Sequence, residues 1–174
     1  MEAFSLLWRL SDISSAVSDR SEVEINRRDE GGILRIGPTQ TLVKAVTGFA
    51  DGLGVLESTP APGHPAPRDH VHRTYDEVFY VLEGQFEFRV GSEIVRADVG
   101  TTVVVPRGTP HTYKNCGDRP GRILIIASPG AAVDMLNDMA SVFAADGPPD
   151  RQKIDDVFAA HDTDLVPPLD TSGR

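Results

Sequence analysis

The chain has 174 residues, 40% of them hydrophobic and 25% charged, which is enough to bury a core and too apolar for wholesale disorder. Its 26 acidic residues outnumber 17 basic ones and give a net charge of −9, which repels phosphate backbones and anionic membrane surfaces, so we expect no nucleic-acid and no membrane partner. The single cysteine, Cys116, excludes an intrachain disulfide and fits a reducing cytoplasm.

The segment up to Arg28 shows no clear hydrophobic period. It opens with "MEAFSLLWRL", which carries Glu2, has a short apolar run and lacks a small-residue cleavage pattern, so it is not typical of a signal peptide. The run "FSLLWRL" fits either a short helix or a strand, with Trp8 packed on the body of the protein. Since no later stretch reaches membrane-spanning length, we expect a cytoplasmic protein.

A succession of short apolar runs follows, separated by glycine, proline and aspartate. "ILRI", "TLVKAVTG" and "GLGVLES" precede a rigid connection with four prolines, "TPAPGHPAPRDH". "VFYVL" is apolar on both faces, whereas "QFEFRV" alternates between apolar and polar residues. The series continues with "EIVRADVG", "TTVVVP", "HTYKN" and "RILIIAS". So many short strands at regular spacing predict a β-sandwich or barrel over about residues 33–128.

The period changes after "SPG", at residues 128–130. Apolar residues then recur at helical spacing in two groups, and these predict helices over about residues 131–162. The groups are Leu136, Met139, Ala140 and Phe143, and then Ile154, Val157, Phe158 and His161. Asp150 is a suitable N-cap for the second helix. The tail, "DLVPPLDTSGR", is expected to be extended.

Two histidines lie one residue apart in the stretch "HVHRTYDEVFYVLEG", followed by a glutamate. Strand side chains at i and i+2 share a face, so His70 and His72 can point at one atom. Imidazoles suit a first-row divalent ion, and the Glu77 carboxylate would add a negative charge. A solvated turn whose histidines bind nothing explains this stretch equally well.

A second segment, "GTTVVVPRGTPHTYKN", presents His111 at the start of a strand. Taken together, the two segments resemble the two-part signature of the cupin superfamily. The first part is filled by Gly63, His70, His72, Glu77 and Gly84, and the second by Gly100, Pro106, Gly108, His111 and Asn115. The gap after the first glycine is longer than usual by one residue.

The resemblance implies an all-β protein: a single cupin jelly-roll barrel spanning residues 1–174, with extra N-terminal strands and a C-terminal helical extension. It also implies one divalent transition-metal ion (Fe, Mn, Ni, Co or Zn), held by His70, His72, Glu77 and His111. Four donors around a tetrahedral zinc would make a closed, structural site. Around a five- or six-coordinate ion they leave room for substrate.

Strand parity suggests the walls of a substrate pocket. If Glu77 faces inward, so does Phe79, and if His111 faces inward, so does Tyr113. Together with Phe88 these rings would favour a flat, aromatic substrate, although they could equally fill the barrel. Arg68 and Lys44 are weaker candidates for holding an anionic group of the substrate. Two other histidines, His64 and His161, are expected to be structural or solvated.

The layout beyond the motifs resembles single-domain bacterial proteins similar to quercetin dioxygenases. This resemblance implies a metal-dependent dioxygenase for a small aromatic or enolisable substrate, with Glu77 as both ligand and catalytic base. A non-redox metal enzyme, such as a polyketide cyclase or isomerase, and a non-catalytic small-molecule-binding cupin are the alternatives. Cupins of this size also suggest a homodimer joined through sheet edges.

Overall fold

The computed structural model describes residues 25–47, 52–63, 67–145 and 147–168. Two expectations, the "FSLLWRL" element with Trp8 and the solvated role of His64, lie outside these residues. The elements in chain order are β1 (Gly32–Ile36), β2 (Thr39–Val46), β3 (Gly54–Thr59), β4 (His70–His72), β5 (Asp76–Glu83), β6 (Phe86–Val90), β7 (Glu93–Ala97), β8 (Thr102–Val105), β9 (His111–Asn115), β10 (Arg122–Ser128), α1 (Ala132–Ala144), α2 (Arg151–Ala160) and β11 (Thr163–Leu165).

The strands form two antiparallel sheets, which confirms the predicted all-β jelly roll with a C-terminal helical part. Within the described residues, one sheet has six strands in the order β1-β2-β3-β10-β5-β8, and the other has five in the order β11-β4-β9-β6-β7. Consecutive strands often lie in different sheets, so the chain crosses repeatedly between the two layers. As a result, residues far apart in sequence meet in the space between the sheets.

The core lies between the two sheets and follows strand parity. On β5 the side chains of Glu77, Phe79 and Val81 are buried, whereas Tyr80 between them is 40% exposed. Facing strands contribute Phe86 and Phe88 from the five-stranded sheet. Burying each phenylalanine contributes about 1.5–3 kcal/mol relative to leaving it in water. The period-2 pattern therefore fixes which side chains of β5 can reach the centre of the barrel.

The C-terminal helices pack against the barrel as the spacing of their apolar residues predicts. The Asp150 side chain caps α2 by accepting a hydrogen bond from the Gln152 N–H at 2.9 Å. A cluster of Met135, Met139 and Phe158 joins the two helices. The start of α1 approaches β3 closely, because a Cβ on Gly54 would lie 2.8 Å from Val133 Cγ2. None of the helices in the described ranges is long and apolar enough to cross a membrane.

The start of the tail is extended, as expected, but the sequence did not indicate that residues Thr163–Leu165 form a strand, β11, which pairs antiparallel with β4. Three residues are too few to show a strand period, and this strand forms because β4 offers an unpaired edge. The C-terminal segment is thereby brought beside the two closely spaced histidines.

Candidate metal centre

Three histidine side chains converge between the sheets, and together they could hold a metal ion. His70 and His72 come from one face of β4, and His111 opens β9 directly opposite His70. One ligand atom from each ring lies within 4.8 Å of the other two. All three residues are buried. The i, i+2 spacing places His70 and His72 on one face of β4, and the pairing of His70 with His111 brings the third ring beside them.

Glu77 faces this cluster from the other sheet. Its Oε2 lies 2.9 Å from His72 Nε2 and 3.1 Å from His111 Nε2. The chain turns through Arg73-Thr74-Tyr75 and enters β5 at Asp76, so that Glu77 points back at the histidines. The structure thus brings together all four residues proposed as metal ligands.

Backbone carbonyls fix the orientation of each imidazole. Nδ1 of His70 lies 2.7 Å from the Arg68 carbonyl, and Nδ1 of His72 lies 3.1 Å from that of Tyr75. Nδ1 of His111 lies 3.1 Å from the Thr109 carbonyl. A carbonyl can only accept, so each Nδ1 carries the proton, and in the neutral ring Nε2 keeps its lone pair.

This arrangement fits a bound cation. Nε2 of His72 and Nε2 of His111 are 3.2 Å apart, and both lie within 3.1 Å of the Glu77 carboxylate. In neutral rings these would be lone pairs facing each other and an anion, which is unfavourable unless a positive charge lies among them. Imidazole nitrogens with one carboxylate are a donor set typical of first-row divalent metals.

Burial and neighbouring charges shift the pKa values of two of these groups. Burial, reinforced by the charge of His111, lowers the pKa of His70 to about 4, which keeps this ring neutral at neutral pH. Burial alone would raise the pKa of Glu77, but the side chains of His111 and His72 outweigh this effect and hold the pKa at about 2. A neutral imidazole and an ionised carboxylate are the forms that bind metal.

The three rings proposed as pocket walls lie next to one another in the barrel. The Phe79 ring centroid is 5.2 Å from that of Phe88, 5.3 Å from that of Tyr113 and 6.1 Å from that of His111. Phe79 and Phe88 are buried in the core, as the barrel-filling alternative requires. Tyr113 is half-buried, and its hydroxyl hydrogen-bonds to Ser58. A contact between these rings and a substrate stays a prediction.

The weaker candidates for an anion site have other partners. The Arg68 guanidinium pairs with Asp155 on α2. The Lys44 ammonium donates to the backbone carbonyls of Arg27, Arg28 and Glu30. His161 bonds the Asp138 carboxylate at 2.8 Å and serves a structural role, as expected.

Sequence reasoning missed two side chains that contact the histidines. The Tyr75 ring stacks on His72 with ring centroids 4.0 Å apart, and the Phe158 ring lies 5.8 Å from that of His70. Tyr75 lies inside the motif, and its aromatic character in an otherwise polar turn is the signal that could have identified it. Phe158 gave no such signal, because helical spacing marked it as a packing residue and nothing more.

Comparison with known proteins agrees with the fold and the motif. The cupin domain profile matches residues 56–127. The chain is 35% identical to "Polyketide synthase CurC" of Streptomyces cyaneus over 115 residues, covering 65% of this chain and 69% of that protein. It is 35% identical to "Tetracenomycin polyketide synthase protein TcmJ" of Streptomyces glaucescens, covering 58% of this chain and 63% of that protein.

Two further similarities are more limited. "Quercetin 2,3-dioxygenase" of Bacillus subtilis (strain 168) is 29% identical over 85 residues, which are 49% of this chain and 25% of that protein. The structure of KdgF from Halomonas sp. superposes with a TM-score of 0.55 at 22% identity, covering 62% of this chain and 94% of that one. At this identity the superposition supports the shared fold alone.

Proposed function

The chain belongs to the cupin family, and we propose that it is a metal-dependent enzyme acting on a small aromatic or polyketide-type molecule with an enolisable carbonyl. The observation that carries this proposal is the buried convergence of three imidazole rings with the Glu77 carboxylate. A divalent transition-metal ion held by His70, His72, Glu77 and His111 would act as a Lewis acid on such a carbonyl.

The residues of the chain would prepare this site in two ways. The backbone carbonyls of Arg68, Tyr75 and Thr109 orient the three imidazoles, so little reorganisation is needed on binding. Burial excludes bulk water, which strengthens charge interactions inside the site. Glu77 would serve first as a ligand and second as the acceptor of a proton from the substrate.

We place a non-redox conversion, such as cyclisation of a polyketide-type substrate, first among the reaction classes. Its support is the 35% identity to two proteins named as polyketide synthase proteins, over 69% and 63% of their lengths. In such a reaction no dioxygen is consumed, and the ion and Glu77 would together favour enolisation of the substrate.

A quercetinase-like dioxygenase is the second candidate. The similarity to quercetin 2,3-dioxygenase supports it, although it covers 25% of that protein. The aromatic side chain of Phe79 near His111 would also suit a flat flavonol. Because both candidates need a metal ion and an enolisable substrate, the consumption of dioxygen distinguishes them.

The experiment is elemental analysis of anaerobically purified protein, then reconstitution with Fe, Mn, Ni, Co or Zn and a substrate screen in an oxygen electrode. The screen contains flavonols and poly-β-ketone aromatics. Product without oxygen uptake supports the cyclase class, and product with stoichiometric uptake supports the dioxygenase. A tight complex without product would support a non-catalytic binding cupin. Failure of every metal to bind would reject both enzymatic proposals.

We also retain a homodimer joined through sheet edges as a proposal. Among the described strands, those at the edges are β1 and β8 in one sheet and β11 and β7 in the other. An exposed edge offers backbone groups that a second copy can pair with. Sedimentation velocity of the full chain tests this, and a single monomeric species at micromolar concentration would reject it.

A further inference from the structure

The C-terminal segment lies directly against the metal centre. The Phe158 ring, from α2, has its centroid 5.8 Å from that of His70, and it is buried in the cluster with Met135 and Met139. Met135 also contacts the site, since its Sδ lies 3.6 Å from Thr163 Oγ1 and 4.0 Å from the Tyr75 hydroxyl. On this side the Phe158 ring therefore lies against His70, and Met135 contacts Tyr75 and Thr163, the residues beside His72.

The strand that carries two of the ligands depends on the same segment. In β11, Thr163 pairs with His72 and Leu165 with His70. Two further backbone bonds extend this pairing, from Arg73 N–H to the Asp162 carbonyl at 3.2 Å and from Val166 N–H to the Asp69 carbonyl at 3.0 Å. On its other side, β4 pairs with β9 through the one register pair His70–His111 in the described part of the chain.

Two ion pairs fasten the segment at both ends of β4. Asp155 on α2 pairs with Arg68, whose carbonyl also bonds Nδ1 of His70. Asp164 on β11 pairs with Arg73, the residue after His72. The C-terminal segment is thus linked to the residues that flank the ligand strand.

The remaining exposure of the four donors shows where a small molecule can approach. His72 and His111 are 1% exposed, whereas His70 is 7% and Glu77 is 8% exposed. The small remaining exposure of these four buried residues therefore lies at His70 and Glu77. Because the Phe158 ring borders His70, it borders this approach.

We propose that residues 151–166 form a cap on the metal centre, in which β11 holds His70 and His72 in position and Phe158 restricts access to the donors. A substrate that enters beside Phe158 would meet an aromatic surface, which favours flat, apolar molecules. This inference rests on the proposed metal-dependent function and adds to it the element that controls access.

The test measures how fast a chelator removes the ion. Full-length protein is loaded with Co²⁺, mixed with excess EDTA, and followed by the visible absorption of the bound ion. Phe158→Ala removes the ring that borders His70. We expect the locally open state to become about ten times more populated, so the rate of metal removal should rise about tenfold. Phe143→Ala is the matched control, because Phe143 packs on the same cluster but its ring does not pair with a histidine in the described part of the chain.

A milder pair of variants keeps the test valid if Phe158→Ala fails to fold. Asp155→Ala removes the tether to Arg68, whereas Asp156→Ala removes a neighbouring charge that bonds Gln152 within α2. Asp155→Ala should raise the removal rate between about two- and fivefold, as expected for the loss of an exposed ion pair. Asp156→Ala should leave the rate unchanged.

The outcomes separate this inference from the proposal on which it rests. If wild-type protein binds no Co²⁺, the metal-dependent function is wrong. If wild-type protein binds Co²⁺ but Phe158→Ala or Asp155→Ala releases it no faster than its control, the metal centre stands and the cap is rejected.

Discussion

The Tyr75 ring stacks on the His72 imidazole, with centroids 4.0 Å apart and planes 18° from parallel. The backbone carbonyl of Tyr75 also bonds Nδ1 of the same histidine. One residue of the turn between β4 and β5 therefore sets both the rotation of the His72 ring and the atom that it presents to the other donors.

Replacing this ring tests its positioning role. Tyr75→Ala should weaken Co²⁺ binding about 10- to 100-fold, the usual cost of losing a residue that orients a metal ligand. Tyr75→Phe keeps the stacked ring and should bind Co²⁺ as wild type does. Isothermal titration of the folded variants, checked by circular dichroism, measures the difference. Equal affinity in Tyr75→Ala and wild type would show that the carbonyl alone orients His72.

Removing a proposed ligand should remove most of the metal while the barrel stays folded. His70→Ala and His111→Ala each delete one imidazole from a site that requires several donors. Elemental analysis should then find far less than one ion per chain. His161→Ala is the control, because His161 bonds Asp138 at 2.8 Å and should keep full occupancy. If both ligand variants still bind one metal ion per chain, the assignment of His70 and His111 as ligands is wrong.

The charge of Glu77 should matter more than its shape. Glu77→Gln keeps the side-chain volume but removes the anion that faces His72 and His111. We expect Co²⁺ affinity to fall by more than about 100-fold, beyond the loss of about 10- to 100-fold expected for a residue that only orients a ligand. Asp76→Asn is the matched control, since Asp76 pairs with Arg107 outside the site. If Glu77→Gln keeps its metal and loses turnover, proton transfer is the main role of Glu77.

We expect Asn115 to stabilise the fold and to make no contribution to metal binding. Its amide donates to the carbonyls of Pro60 and Arg119 at 3.0 and 2.8 Å, and its Oδ1 accepts from the Gly117 N–H at 2.9 Å. Asn115→Ala removes the three hydrogen bonds that tie these loop segments together and should cost about 1–3 kcal/mol of unfolding free energy. Urea unfolding measures this loss. A change in Co²⁺ affinity larger than the change for His161→Ala would contradict the structural role.

The sequence by itself determined most of the strands, the two C-terminal helices and which neighbouring side chains share a face. Strand parity placed Glu77 and Phe79 on the same face of β5, and the His-x-His spacing aligned His70 with His72. These features could be predicted because they depend on backbone period, which a short stretch of chain carries. The resemblance to cupins then supplied His111 as the partner from a distant strand.

Tertiary structure alone decided what surrounds these residues. Strand parity could not tell whether Phe79 and Phe88 contact a substrate or one another, and the packing between the sheets buries them in the core. Nor could the three residues of β11 reveal their pairing with β4, or helical spacing reveal that Phe158 meets His70. Such contacts join segments far apart in the chain, and they form because the folded barrel leaves a strand edge and a histidine face uncovered.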